Sequence, residues 1–260
     1  MRVGVVQFAS GDDKPANLAR LSELVTTAAA DGAALVIAPE ASMHSFGDGD
    51  ENLAPAAESL DGPFVTGLST LCRTLGITVA AGMFELVAGE PSKAYNTAVA
   101  IDPTGTLVAR YRKIHLFDAL GWLESRQLVA GPLEPTTFPC GDLTVGLMTC
   151  YDLRFPELAR ALVRSGATLL AVPSAWVAGT QKIEQWQALT TARAIENTAY
   201  VAGAAQPPPE YCGHSALIDP YGVRLVELRV DDGVAVAEVT SERVAEVRAK
   251  MPSLEHIRVK

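Results

Sequence analysis

The sequence predicts an α/β protein with mixed sheets, on two observations. Strand-like runs of apolar and β-branched residues alternate with helix-like runs through most of the 260 residues. That alternation lays helices over a largely parallel sheet. Two Asp-Pro-x-Gly turns, at 102–105 and 219–222, each stand between strand-like runs. A tight turn joins antiparallel neighbours, so the sheet cannot be wholly parallel.

The elements follow in order. Residues 3–8 read as a strand. Residues 17–30 read as a helix, with Leu18, Leu21, Leu24 and Val25 on one face and Asp31-Gly32 as its stop. Residues 34–38, Ala-Leu-Val-Ile-Ala, form a buried strand. Pro63 opens a helix that Gly76 closes, and residues 77–83 form the next strand. Residues 95–101 and 107–111 make a hairpin. Strand 143–148, helix 156–165 and strand 168–172 make a strand–helix–strand unit. A long helix at 181–197 precedes strand 199–204, and residues 207–211 form an irregular loop. Residues 215–219 and 223–228 make the second hairpin, strand 233–239 follows, and a helix spans 241–250. The repeated hairpin motif hints at two related halves.

Composition narrows the function. No linker-like stretch divides the chain, so a single domain over 1–260 is expected. Hydrophobic residues make up 48% and charged residues 20%, ordinary for a soluble enzyme with a sizeable core. A net charge of −9 argues against nucleic acid or an anionic membrane as partner. Met1-Arg2 leads directly into a strand-like run, so no leader or apolar span is expected there. Cys72, Cys140, Cys150 and Cys212 are scattered without metal-ligand spacing, so neither a metal nor an organic cofactor is implied. A reducing cytoplasm would keep such thiols available.

Three residues carry candidate chemistry. Cys150 stands where strand 143–148 runs toward the helix at 156–165. The positive end of a nearby helix would favour its thiolate, the nucleophilic form. A buried, inert thiol is the equal alternative. Glu40 ends strand 34–38, at a rim where open α/β sheets hold ligands, although a loop glutamate there is common. Lys113 lies beside Arg110 and Arg112 and by itself reads better as a solvated lysine.

Taken together, these segments resemble the carbon–nitrogen hydrolase family, also called the nitrilase superfamily. The resemblance rests on Ala38-Pro-Glu40-Ala, Tyr111-Arg-Lys113-Ile-His-Leu-Phe-Asp and Thr149-Cys150-Tyr-Asp-Leu-Arg-Phe-Pro-Glu157 in that order. It extends from the opening Val3-Gly-Val-Val-Gln7-Phe-Ala to Gly213-His214-Ser215-Ala-Leu-Ile-Asp219-Pro-Tyr-Gly222. It implies a four-layer α-β-β-α sandwich with mixed sheets. It also implies a homodimer or higher homo-oligomer, with the C-terminal Arg-Val-Lys260 near the contact.

The resemblance further implies a catalytic set of Glu40 as base, Lys113 as oxyanion partner and Cys150 as nucleophile. Glu124 is the best match to a second glutamate that orients the lysine; its alternative is a surface loop residue. Tyr151, Arg154, Ser174 and Trp176 would meet a small amide substrate. Arg154 would do so through a substrate carboxylate, or else pair structurally with Glu157 or Asp152. A half-buried core tryptophan is the alternative for Trp176. His115 and His214 would orient their neighbours. The Cys-Tyr-Asp-Leu-Arg-Phe-Pro-Glu run resembles the branch that hydrolyses ω-amides of dicarboxylic acids, deaminated glutathione and α-ketoglutaramate among them. Nitrilases proper carry Trp-Glu after the cysteine, where this chain has Tyr151-Asp152. Two other readings stay open. One is an N-carbamoyl amino acid amidohydrolase or other amidase; the other is a non-catalytic redox sensor or binding protein with an exposed thiol.

Overall fold

Two six-stranded sheets organise the computed structural model, which describes residues 1–47 and 52–259. The first sheet holds β1 (Arg2–Gln7), β2 (Leu35–Ile37), β3 (Thr78–Leu86), β4 (Ala94–Ile101) and β5 (Leu107–Arg112). The second holds β6 (Thr136–Cys140), β7 (Leu143–Leu147), β8 (Leu169–Ser174), β9 (Tyr200–Ala205), β10 (Ala216–Ile218) and β11 (Arg224–Glu227). The last strand, β12 (Gly233–Glu238), returns to pair antiparallel with β1, Val3 opposite Ala237.

Each sheet has three adjacent parallel strands, β1-β2-β3 in one and β7-β8-β9 in the other. Antiparallel strands flank both sets, so the sheets are mixed as expected. The two Asp-Pro-x-Gly turns occupy equivalent places, joining β4 to β5 and β10 to β11. In each, the aspartate Oδ1 accepts two turn amides at 2.9 Å, from Thr104 and Thr106 or from Tyr221 and Val223. Gly105 and Gly222 take the left-handed backbone that the turns require, at φ 78° and 84°.

Side-chain alternation sorts the strands into four layers. Val3, Val5, Leu35 and Ile37 face the second sheet and meet Val145, Leu147 and Leu169. Val6, Val36, Val79 and Val99 face outward, where α1 (Lys14–Ala30) and α2 (Pro63–Leu75) cover them with Leu21, Leu24, Phe64 and Leu68. On the far side, α3 (Pro156–Arg164) and α4 (Lys182–Asn197) cover the second sheet. Gly203 on β9 has no side chain because the Trp186 ring of α4 lies within 2.8 Å of where a Cβ would stand. Burial on both faces is why runs such as Leu35–Ile37 are continuously apolar. Each fully buried leucine contributes about 2 kcal/mol. The terminal α5 (Ser241–Lys250) is capped by the Thr240 hydroxyl on the Arg243 amide.

The structure departs from the sequence expectations at identifiable places. The first helix begins at Lys14, because Asp13 caps it through the Ala16 amide at 3.0 Å and Pro15 fits its first turn. Strand β6 was not expected: Pro139 argues against a strand, but β6 is an edge strand, where proline is tolerated. Lys260 lies outside the described residues. Among the described residues, no helix is long and apolar enough to cross a membrane, and no cluster of residues has the makings of a metal site.

Candidate active site

The parallel strands of both sheets end on one rim, and the functional side chains gather there. Glu40 follows β2 and is 1% exposed. Its turn presses so closely on β3 that a Cβ at Gly82 would lie 2.6 Å from the Ala41 nitrogen. Glycine at that position lets the carboxylate enter. Glu40 Oε1 accepts from Asn96 Nδ2 at 2.7 Å and Lys113 Nζ at 3.0 Å; Oε2 accepts from the Ala175 amide at 2.6 Å. Gln206, just past β9, donates to the Glu40 carbonyl at 2.9 Å. Three distant segments thus hold one carboxylate.

Lys113 follows β5, its amide bonded to the Asn96 carbonyl at 2.8 Å. Its ammonium also reaches both Glu124 oxygens at 2.9 Å. Glu124 starts a short 3-10 turn (Glu124–Arg126) and accepts the Phe117 amide at 2.8 Å. Burial works against the Lys113 charge, but Glu124, Glu40 and Cys150 together outweigh it and hold the ammonium well above the ordinary lysine range. Burial pushes the Glu124 carboxyl up, against the opposing pull of Lys113.

Cys150 follows β7 by three residues and takes a left-handed backbone, φ 48°. A side-chain-bearing residue held there stores about 1–3 kcal/mol. Asp152 enforces the bend. Its Oδ2 accepts the Thr149 amide at 2.8 Å and the Tyr111 hydroxyl at 2.6 Å, and its Oδ1 meets His115 Nδ1 at 2.7 Å. His115 stacks flat on Phe155, with ring centroids 3.7 Å apart. His214 contacts Glu227 at 2.9 Å. Both histidines therefore orient neighbours, as expected.

One expectation about Cys150 is corrected. Sequence position suggested a helix start that favours the thiolate. Burial and the Glu40 carboxylate instead push the thiol well above its ordinary value, against the pull of Lys113. The physical reason is twofold. A 3-10 turn (Cys150–Arg154), rather than a long helix, begins at the cysteine. Two carboxylates also share the Lys113 ammonium beside it.

Cys150 opens onto a cleft of about 400 Å³ walled by Phe46, Phe117, Trp122, Tyr151, Trp176 and Tyr211. Tyr151 and Trp176 thus stand where the sequence put them, and the loop at 207–211 supplies Tyr211 to the wall. Arg154 places its guanidinium 5.0 Å from the Trp176 ring and donates to Gln185 at 2.5 Å. Among the described residues it forms no ion pair with Asp152 or Glu157. Ser174 is not brought to the cleft: it is fully buried and its hydroxyl turns back to the Val172 carbonyl at 3.3 Å, so the next residues, Ala175 and Trp176, form the wall. β8 ends at Ser174, still packed inside the sheet, and only the residues beyond the strand end reach the cleft. Cys72, Cys140 and Cys212 are buried thiols away from the cleft wall. Burial pushes Cys72 to about 11 and Cys212 to about 12.

Sequence reasoning missed Asn96, Gln206 and Lys182. Asn96 stands in Tyr95-Asn96-Thr97, at the start of the run read as a strand over 95–101, so its place was legible but its role was not. Lys182 also lines the cleft, yet it stands in the polar run Gln181-Lys-Ile-Glu184 and reads as helix surface.

The chain is similar to known proteins over most of its length. The family model described as carbon-nitrogen hydrolase matches residues 2–249. A protein of Synechocystis named deaminated glutathione amidase is 41% identical over 265 residues, 96% of each chain. One of that name from Escherichia coli O157:H7 is 37% identical over 99% of this chain and 97% of its own. The crystal structure of the C. elegans NitFhit protein superposes with a TM-score of 0.90 at 30% identity over 99% of this chain. This chain spans 65% of the NitFhit chain.

Proposed function

This chain belongs to the carbon–nitrogen hydrolase family and is a hydrolase acting on carbon–nitrogen bonds of amides, and we propose that it cleaves a small linear ω-amide to a carboxylate and ammonia. The observation that carries the reading is the Glu40–Lys113–Glu124 cluster, joined by contacts of 2.9–3.0 Å beside Cys150.

In this reading Cys150 Sγ attacks the amide carbon as Glu40 takes the thiol proton. A thiol held protonated at rest needs such a base. Negative charge grows on the carbonyl oxygen, which faces Lys113 Nζ and the Tyr151 amide. That amide lies in the first turn of its helix, where N–H groups have no partner within the turn. Glu124 fixes the Lys113 ammonium in place, so stabilisation of the oxyanion needs little reorganisation. Glu40 returns its proton to the amide nitrogen, the carbon–nitrogen bond breaks and ammonia leaves. Cys150 now carries a thioester. Water attacks it as Glu40 again takes a proton, and the acid departs with the thiol restored.

The relatives' name gives deaminated glutathione as their amide, and Arg154 near the aromatic cleft suits a substrate that also carries a carboxylate. A homodimer is part of the same reading; exposed Ile195 lies against the Gly222 turn, whose neighbours Tyr221 and Val223 are also exposed. Four unpaired thiols suit a reducing cytoplasm. The test is ammonia release from deaminated glutathione, α-ketoglutaramate and N-carbamoyl amino acids by wild type and Cys150→Ala. We expect turnover of an ω-amide by wild type and a loss of more than about 10⁴-fold in the variant. Ammonia from N-carbamoyl amino acids alone, or from none of the panel, overturns the reading.

A further inference from the structure

We propose that Lys182 is a specificity-determining residue that receives the distal carboxylate of the substrate, so that the cleft selects amides with an anionic far end. The inference rests on the amidase reading above and adds to it the residue that chooses the substrate.

Lys182 is 5% exposed, yet among the described residues no carboxylate lies within ion-pair distance of its ammonium. A lysine whose surface is so largely enclosed is ordinarily paired. Here the position is built. The Trp176 indole N–H donates to the Lys182 carbonyl at 3.0 Å, fixing the backbone. The ammonium then lies 4.7 Å from the Trp176 ring centre and 5.4 Å from that of Phe117. Aromatic faces stabilise a cation without neutralising it. Trp176, Phe117, Lys182 and Cys150 all line one cleft, so the charge faces the space a substrate must enter.

Arg154 strengthens the case. Its guanidinium lies 5.0 Å from the same Trp176 ring, and its near partner is the neutral Gln185. Burial, and then Arg154, push the Lys182 ammonium below its ordinary value. Among the described residues neither cation has a carboxylate partner, so the two repel each other across the cleft and an entering carboxylate relieves both. The walls between Cys150 and Lys182 are aromatic and offer few polar partners, which suits an aliphatic spacer between amide and carboxylate. A neutral amide of equal length fills the same walls and leaves Lys182 unpaired.

The test compares glutaramate with valeramide, equal in length and differing in the terminal charge. Wild type, Lys182→Gln and Lys182→Arg are assayed on both. The glutaramate-to-valeramide ratio of kcat/KM is expected to fall about 10- to 100-fold in Lys182→Gln, mainly through KM, the size of one charge-assisted hydrogen bond. Lys182→Arg is expected to keep most of the ratio, which separates charge from folding. In parallel, glutarate binding to Cys150→Ala is measured by calorimetry with and without Lys182→Gln, and the second substitution is expected to weaken it by a similar factor. Equal losses on both amides, or unchanged glutarate binding, overturn the role of Lys182. If wild type hydrolyses no amide while glutarate binding still depends on Lys182, the amidase reading fails and the carboxylate site stands.

Discussion

Lys113 and Lys182 are two enclosed lysines beside one cleft, and they differ in their company. Lys113, 1% exposed, contacts Glu40 and both oxygens of Glu124. Lys182, 5% exposed, has aromatic rings beside it and an arginine nearby. The first is held above the ordinary lysine value and the second below it. Carboxylates fix a lysine's position and charge, so it can wait for charge that develops only during reaction. A lysine without them keeps its attraction available for an anion that arrives from outside. The same side chain, in the same cleft, is thus prepared for two purposes by its neighbours.

The sharpest way to break this contrast is Glu40→Gln, which removes one of the two carboxylates from Lys113. Hydrolysis is expected to drop toward 10⁴-fold, about the upper end for a lost general base, because Glu40 serves both half-reactions. The same change removes a negative neighbour of Cys150, so the thiol's pKa must fall. Its alkylation by iodoacetamide is expected to set in at lower pH than in wild type. Loss of hydrolysis together with unchanged alkylation would separate the base from the electrostatics.

Lys113→Met attacks the contrast from the other side. Glu40 and Glu124 would remain buried without their cation, so urea unfolding at neutral pH should show a loss of about 3–5 kcal/mol. Activity should drop by about 10²–10³-fold, the usual consequence of losing one oxyanion donor. A fully active Lys113→Met would remove the basis for calling the two lysines different.

The smallest effect is in pH. A carboxylate is attracted only while Lys182 is protonated. Its value lies below 10.5, so the preference for glutaramate over valeramide should decline as pH rises toward that figure. Lys113 stays charged across the same window, because its value lies above 10.5. The decline should be up to about 10-fold and absent in Lys182→Gln. A preference that stays flat in wild type would assign the anion selection to Arg154.

Much of the scaffold was legible because it is locally encoded. The spacing of Leu21, Leu24 and Val25, the stop at Gly76 and the two Asp-Pro-x-Gly turns each act within a few residues. Glu40, Lys113 and Cys150 stood out because each sits in its own recognisable segment. Strand β6 escaped because its proline is acceptable only at a sheet edge, and an edge is a property of the whole sheet.

The sequence by itself therefore determined the alternation of strands and helices, both hairpins and the residue types of the site. Tertiary structure alone decided the division into two sheets, with β12 returning to β1 across the chain. It alone brought the Ala175 amide to Glu40, 135 residues away, and turned Ser174 from the cleft. It also decided which charges meet: why Cys150 is held as a thiol, and why Lys113 is paired with carboxylates while, among the described residues, Lys182 is not. The physical reason is range. Backbone preferences are set by near neighbours in the chain, whereas burial and Coulomb interactions depend on distances that exist only after the sheets have packed.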